Sequence, residues 1–150
     1  GYVAKTTYTS TGSNFAAFLN SGNQAAGRIN HNGTTSVSYI TTSDYRLKED
    51  AQEFSGLELV NRIQVYNYAW KADGNREYGV MAHELQAELP YLVTRSKDEV
   101  GADGQPRIQR VNYAKLVPVL LRAIQEQQEM ISELREQVET IKQATTDTAL

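Results

Sequence analysis

A chain of 150 residues with a formal net charge of −3 has room for one ordinary domain, or for a small domain with appendages. It contains no cysteine, which excludes disulfides, thiolate chemistry and cysteine-built zinc sites, and its two histidines, His31 and His83, are too far apart in sequence to suggest a metal or cofactor site. The basic residues form no stripe that would track nucleic acid, and no apolar run approaches the ~20 residues of a membrane span, so neither is expected as a partner.

Residues 1–42 are rich in Thr, Ser, Asn and Gly, and apart from His31 their only basic side chains are Lys5 and Arg28, with no acid. The opening Gly1-Tyr2-Val3-Ala4-Lys5 does not read as a secretory signal, and because it does not begin with methionine an excerpt of a longer protein is expected. Ala25–Asn30 and Ser36–Ile40 read as brief strands, with turns at Ser21-Gly22-Asn23 and Asn32-Gly33; an Asn-Gly pair between strand-like runs is a hairpin signal. So little apolar content does not make a core alone. The expectation is β-rich structure intertwined between chains, with a flexible linker as the alternative.

Residues 43–112 read as a small mixed α/β module. Ser55 is placed to cap a short helix carrying Leu57, Val60 and Ile63. Tyr66, Tyr68 and Trp70 alternate with polar or small residues, which predicts a strand; Ala72–Asn75 supplies a turn and Glu77–Met81 the return strand. His83–Leu89 predicts a short helix stopped at Pro90. Leu92–Thr94 and Arg107–Val111 read as strands joined by a polar excursion, Ser96–Pro106, containing Gly101, Gly104 and Pro106.

Residues 113–143 carry the clearest periodicity. Val117, Ile124, Ile131 and Val138 fall at heptad position a, and Tyr113, Leu120, Gln127, Leu134 and Ile141 at position d. β-Branched a residues with Leu at d favour dimers. Gln127 and Ile141 at d, with Leu121 and Met130 widening the stripe, suit more than two helices or packing on the module. Pro118 requires the helix either to begin near Lys115 or to kink. Residues 144–150 are expected to fray.

A serine five residues before a lysine, Ser43 and Lys48, is on spacing alone a surface turn in most proteins. Ser–Lys pairs are nevertheless a variant of the serine-hydrolase constellation, with a neutral lysine as base. The surrounding residues decide the matter. Thr42-Ser43-Asp44-Tyr45-Arg46-Leu47-Lys48-Glu49-Asp50 resembles the start of the self-cleaving intramolecular chaperone domain of phage tailspikes, tail fibres and endosialidases. Tyr78-Gly79-Val80-Met81-Ala82-His83-Glu84-Leu85 with Leu89-Pro90, and Val111-Asn112-Tyr113-Ala114-Lys115-Leu116-Val117-Pro118-Val119-Leu120, match the same family in the same order, so that the resemblance covers residues 42 to 141.

The resemblance implies an α+β fold: a small module with a projecting β-hairpin that embraces the shaft, then a long heptad helix in a trimeric coiled coil. It implies cleavage at Thr42–Ser43, with Ser43 as nucleophile and Lys48 as base, and no cofactor. Asp44, Arg46 and Glu84 are possible supporting residues. Asp44 is open to capping the turn or to pairing with Arg46 or Lys48, and the last would oppose deprotonation of Lys48. Glu84 is equally open to a structural role, and His83 stands where the family often has Gln. The trimer interface would be Val117, Leu120, Ile124, Gln127, Ile131, Leu134, Val138 and Ile141. The implied partners are two further copies and the upstream shaft as folding client. Synthesis would be in the host bacterial cytoplasm, the shaft joining the virion tail and the chaperone being released. A permanent, non-cleaving trimerisation tail is the main alternative. The processing domain of a membrane-bound regulator is another, disfavoured by the polar character of residues 1–42.

Overall fold

Three antiparallel strands in sequential order open the described part of the chain: β1 (Asn14–Leu19), β2 (Ala25–Asn32) and β3 (Ser36–Thr41). The structure, a computed structural model, describes residues 14–32 and 36–148, and it divides into two units, Gly1–Gln52 and Glu53–Leu150. The division falls after Gln52, so the Ser43–Lys48 stretch, expected to open the second module, is grouped with the sheet it follows.

The turn between β1 and β2 is built by Asn20, whose Oδ1 accepts from the amides of Gly22 and Gln24, both at 2.9 Å. Asn23 takes the positive φ of 57° that Asn tolerates. Strands β2 and β3 pair from Asn32↔Ser36 to Gly27↔Thr41, on either side of the expected Asn32-Gly33 turn, whose Gly33 lies outside the described residues. Strand β1 is not marked by alternation in the sequence, and its register shifts between Asn14 and Ala16 and between Phe18 and Leu19. None of this sheet's described side chains is buried, and Tyr39 is 81% exposed. Among the described residues, the low apolar content of the segment thus leaves the sheet without a core of its own.

The second unit is built around Leu85, Leu89, Leu92, Val93 and Val119. Helix α1 (Gly56–Arg62) is capped by Ser55, whose Oγ accepts from the Glu58 amide at 3.2 Å, and it packs Leu59, Val60 and Ile63 against this core. Strands β4 (Tyr66–Ala69) and β5 (Arg76–Gly79) form the expected hairpin, with Gly74 at φ 75° in the turn. Helix α2 (Ala82–Glu88) ends before Pro90 and is tied to α1 by Arg62, which bonds Glu88 at 2.8 Å and Glu58 at 2.7 Å. Strands β6 (Val93–Thr94) and β7 (Arg110–Val111) are shorter than expected. Between them the polar excursion folds back on itself: Arg107 donates its amide to the Glu99 carbonyl at 2.7 Å, and Gly101 donates to Gln105 at 2.9 Å.

Helix α3 (Val117–Thr148) is 32 residues, about 48 Å long. Pro118 sits in its first turn, where a missing N–H costs nothing, so the helix begins there without a kink. Tyr113 therefore leaves the heptad series: it lies in a 3-10 turn, Tyr113–Leu116, and not at a helical d position. At the other end α3 continues through Thr148, past the residue 143 expected from the heptads, and the frayed tail expected from residue 144 is helical as far as it is described. The architecture is mixed α+β with a long terminal helix, as expected.

Candidate self-processing site

The site forms where β3 runs out. Thr42, one residue past the strand, donates its amide to the Ala26 carbonyl at 3.3 Å and its hydroxyl to the Ala25 carbonyl at 2.6 Å. The chain then turns through a single 3-10 helix, Tyr45–Leu47. Asp44 is its N-cap: Oδ1 accepts from the Arg46 amide at 2.9 Å. The same carboxylate takes Arg46 as a fork, with Nε to Oδ1 at 2.9 Å and Nη2 to Oδ2 at 2.6 Å. The Arg46 side chain, and after it the Arg46 amide, hold the Asp44 carboxyl below the usual carboxylate range, and Asp44 in turn raises Arg46. Of the three roles open to Asp44, capping and pairing with Arg46 are both realised.

The turn brings Lys48 back over Ser43. Lys48 Nζ donates to Ser43 Oγ at 2.6 Å. With Asp44 engaged by Arg46, Lys48 Nζ contacts the serine. For attack the same contact runs in reverse: a neutral amine would accept the Ser43 proton. Both side chains are exposed in the single chain, as are Tyr45 and Leu47.

Glu84 belongs to the second unit, on α2, and accepts from the Tyr66 hydroxyl at 2.9 Å. That bond raises Tyr66 above the ordinary phenol value and ties α2 to β4. His83 Nε2 lies 3.8 Å from Glu84.

The expected interface residues Val117, Leu120, Ile124, Gln127, Ile131, Leu134, Val138 and Ile141 share one stripe of α3 and are all exposed in the single chain, Ile124 at 61% and Ile141 at 64%. A different flank of the helix meets α1. Val119 and Ala123 are buried there, and Glu126 accepts from the Leu57 amide at 2.8 Å, the Gly56 amide at 3.2 Å and the Ser55 hydroxyl at 3.1 Å. Arg122 donates to the Phe54 carbonyl at 3.4 Å and pairs with Glu126 at 3.2 Å. Sequence reasoning missed Arg122, Glu126 and the Thr42 hydroxyl as contacts.

Among the described residues no group of His, Asp and Glu could hold a metal ion, and no helix is long and apolar enough to cross a membrane. Residues 43–94 match a peptidase family described as the chaperone of endosialidase. The chain is 29% identical over 110 residues to the long tail fiber protein Gp37 of Salmonella phage S16, spanning 67% of this chain and 14% of that protein. It is 35% identical over 112 residues to the long tail fiber protein Gp37 of Enterobacteria phage Ox2, spanning 69% of this chain and 42% of that protein. The chain thus spans less than half the length of these relatives. The family match begins at Ser43, the serine that Lys48 contacts, and runs through β6. From residue 43 to residue 94 the chain is similar to the chaperone-of-endosialidase family.

Proposed function

We propose that the chain is the end of a phage tail fibre, residing in the virion tail, followed by a chaperone that assembles three copies and then cuts itself free at Thr42–Ser43. The observation that carries the reading is the 2.6 Å contact between Lys48 Nζ and Ser43 Oγ at the start of the family match. The Ser43 hydroxyl is tethered to the Thr42 carbonyl carbon through its own Cβ, Cα and amide nitrogen, so no substrate has to be captured. Such tethering is worth roughly 7–11 kcal/mol of barrier when well aligned. Ser43 Oγ attacks the Thr42 carbonyl carbon through a five-membered ring while neutral Lys48 takes its proton. Collapse breaks the Thr42–Ser43 C–N bond, and the Ser43 nitrogen receives the proton back from Lys48. The resulting ester is hydrolysed by water to the Thr42 carboxylate and the Ser43 alcohol.

The exposed a/d stripe supports the assembly half of the reading, because contiguous apolar surface of this extent marks an interaction face. Registering chains early would relieve the slow, non-local β pairing of a shaft, and removing the template afterwards would trap it kinetically. Incubation of the purified protein should yield a fragment whose N-terminal residue is Ser43. Ser43→Ala and Lys48→Arg should both leave the chain whole, the latter because arginine stays protonated. An assembled parent protein that stays intact through prolonged incubation, with only Gly1 found by N-terminal sequencing, would refute self-processing and leave a permanent assembly tail.

A further inference from the structure

We infer that the Thr42 side chain is a positioning residue for the cleavage, holding the acyl half of the bond against the first residues of β2; the inference rests on the self-processing reading above. The two halves of the bond are held by different devices. On the amine side, the Asp44 cap and the Arg46 fork fix the turn that returns Lys48 to Ser43. On the acyl side, Thr42 and Ser43 are exposed. What holds it is Thr42 itself. Its amide reaches the Ala26 carbonyl at 3.3 Å and its hydroxyl reaches the Ala25 carbonyl at 2.6 Å, across 17 positions of sequence.

These bonds continue the β2–β3 pairing, whose last register pair is Gly27↔Thr41, by one residue onto the scissile one. Ring closure by Ser43 Oγ depends on the direction in which the Thr42 carbonyl faces, which is set by rotation of the Thr42 backbone. A residue tied through both its amide and its hydroxyl has lost much of that freedom. If Ala25 and Ala26 are not in place beside β3, the Thr42 carbonyl swings free of the serine. Cleavage therefore depends on closure of the sheet immediately upstream. The clamp makes the reaction a local test of whether the end of the client strand has paired, in addition to any test of chain association.

Three full-length chains decide the question: the parent, Thr42→Val and Thr42→Ser. Valine keeps the β-branched shape and removes only the donor; serine keeps the donor and removes the methyl group. The cleaved fraction is followed by mass against time over a range of pH, with sheet content checked by circular dichroism in Ser43→Ala versions. Thr42→Val should cut roughly tenfold to a hundredfold more slowly, as expected for lost alignment, at every pH and with an unmoved midpoint. Thr42→Ser should cut at close to the parental rate. Parental cutting by Thr42→Val, a shifted midpoint, or a slow Thr42→Ser each overturns the clamp while leaving self-processing standing. A parent that never cuts overturns both. A Thr42→Val chain that has lost its sheet leaves the serine variant to decide, because a slow Thr42→Ser refutes the hydroxyl's role on its own.

Discussion

Replacing Gly56 with alanine should destabilise the second unit, against the direction that helix propensity alone predicts. In an isolated helix the change is favourable by about 1 kcal/mol. Here the added Cβ would lie 2.5 Å from the Ala123 amide nitrogen, 2.6 Å from the Val119 carbonyl oxygen and 2.9 Å from the Arg122 carbonyl carbon. Ordinary contact begins at 3.4 Å, so the shortfall is close to 1 Å. All three obstacles are backbone atoms of α3, which have no rotamer to change. Helix α1 would have to lift away, stretching the Glu126 bonds to Leu57 and Gly56 and drawing Leu59 and Val60 off the core.

Overpacking costs about 1–3 kcal/mol, and rigid neighbours place this case at the upper end. After the propensity gain, a net loss of about 2 kcal/mol remains. With a urea slope of about 2 kcal/mol per molar for a domain of this size, the unfolding midpoint should fall by about 1 M. The comparison belongs in a Ser43→Ala background, so that cutting does not complicate it. Protomer concentration must be matched, because any association shifts the midpoint. A midpoint equal to or above that of the parent would mean that propensity wins, and that α1 does not seat its first turn against the α3 backbone.

Two further predictions concern α3. Ile131→Asp should abolish the association of copies in sedimentation at micromolar concentration, because it places like charges at facing positions of the stripe, where nothing compensates them; unchanged sedimentation would remove that stripe from the interface. Glu126→Gln should change how stability depends on pH. The Leu57 amide foremost, then the Ser55 hydroxyl and the Gly56 amide, hold the Glu126 carboxyl below its ordinary value. Its stabilisation is therefore complete above the unfolded glutamate value of about 4.3 and is lost as pH falls through the lowered folded value. The parent's urea midpoint should accordingly fall more steeply on acidification from about pH 7 to about pH 3 than that of Glu126→Gln, which should start lower. Parallel curves would refute the clasp.

What could be read from the sequence was local. Ser55 announces α1 because N-cap chemistry needs only the next turn of chain, and Pro90 ends α2 for an equally local reason. Tyr66, Tyr68 and Trp70 announce β4 because one period-two run defines a strand. Strand β1 was illegible because its register shifts leave no alternation to see. Tyr113 was misread because apolar spacing extends past the point where the backbone tightens from α to 3-10. At the candidate site, Ser43 and Lys48 are five positions apart and a tight turn joins them, so their meeting was foreseeable. The partner of Asp44 was not, since Arg46 and Lys48 are equally close in sequence. Contacts across long separations carry no local mark: Thr42 to Ala25 spans 17 positions and Leu57 to Glu126 spans 69.

Under the proposed assembly, the long helix separates two tasks by face. Its first turns bury Val119 and Ala123 and turn Glu126 toward α1, and this flank ties the helix to the module. Val117, Leu120, Ile124 and Ile131 point elsewhere and are exposed. From Gln127 to Asp147 every side chain is exposed within the chain. A helix with nothing packed on it gains little beyond its own hydrogen bonds, whereas most helical stability in proteins comes from packing an amphipathic face. Yet Ile131, Leu134, Val138 and Ile141 keep an apolar residue at spacings of three and four throughout that stretch. A solvated helix has no physical need for that pattern, whereas copies of the same helix packed side by side do. Assembly through the stripe would leave the α1 flank untouched, so the module need not come apart for the helices to associate. The two contacts can then be disrupted independently: Gly56→Ala should weaken the module in a protein that still associates, and Ile131→Asp should separate copies whose modules stay folded.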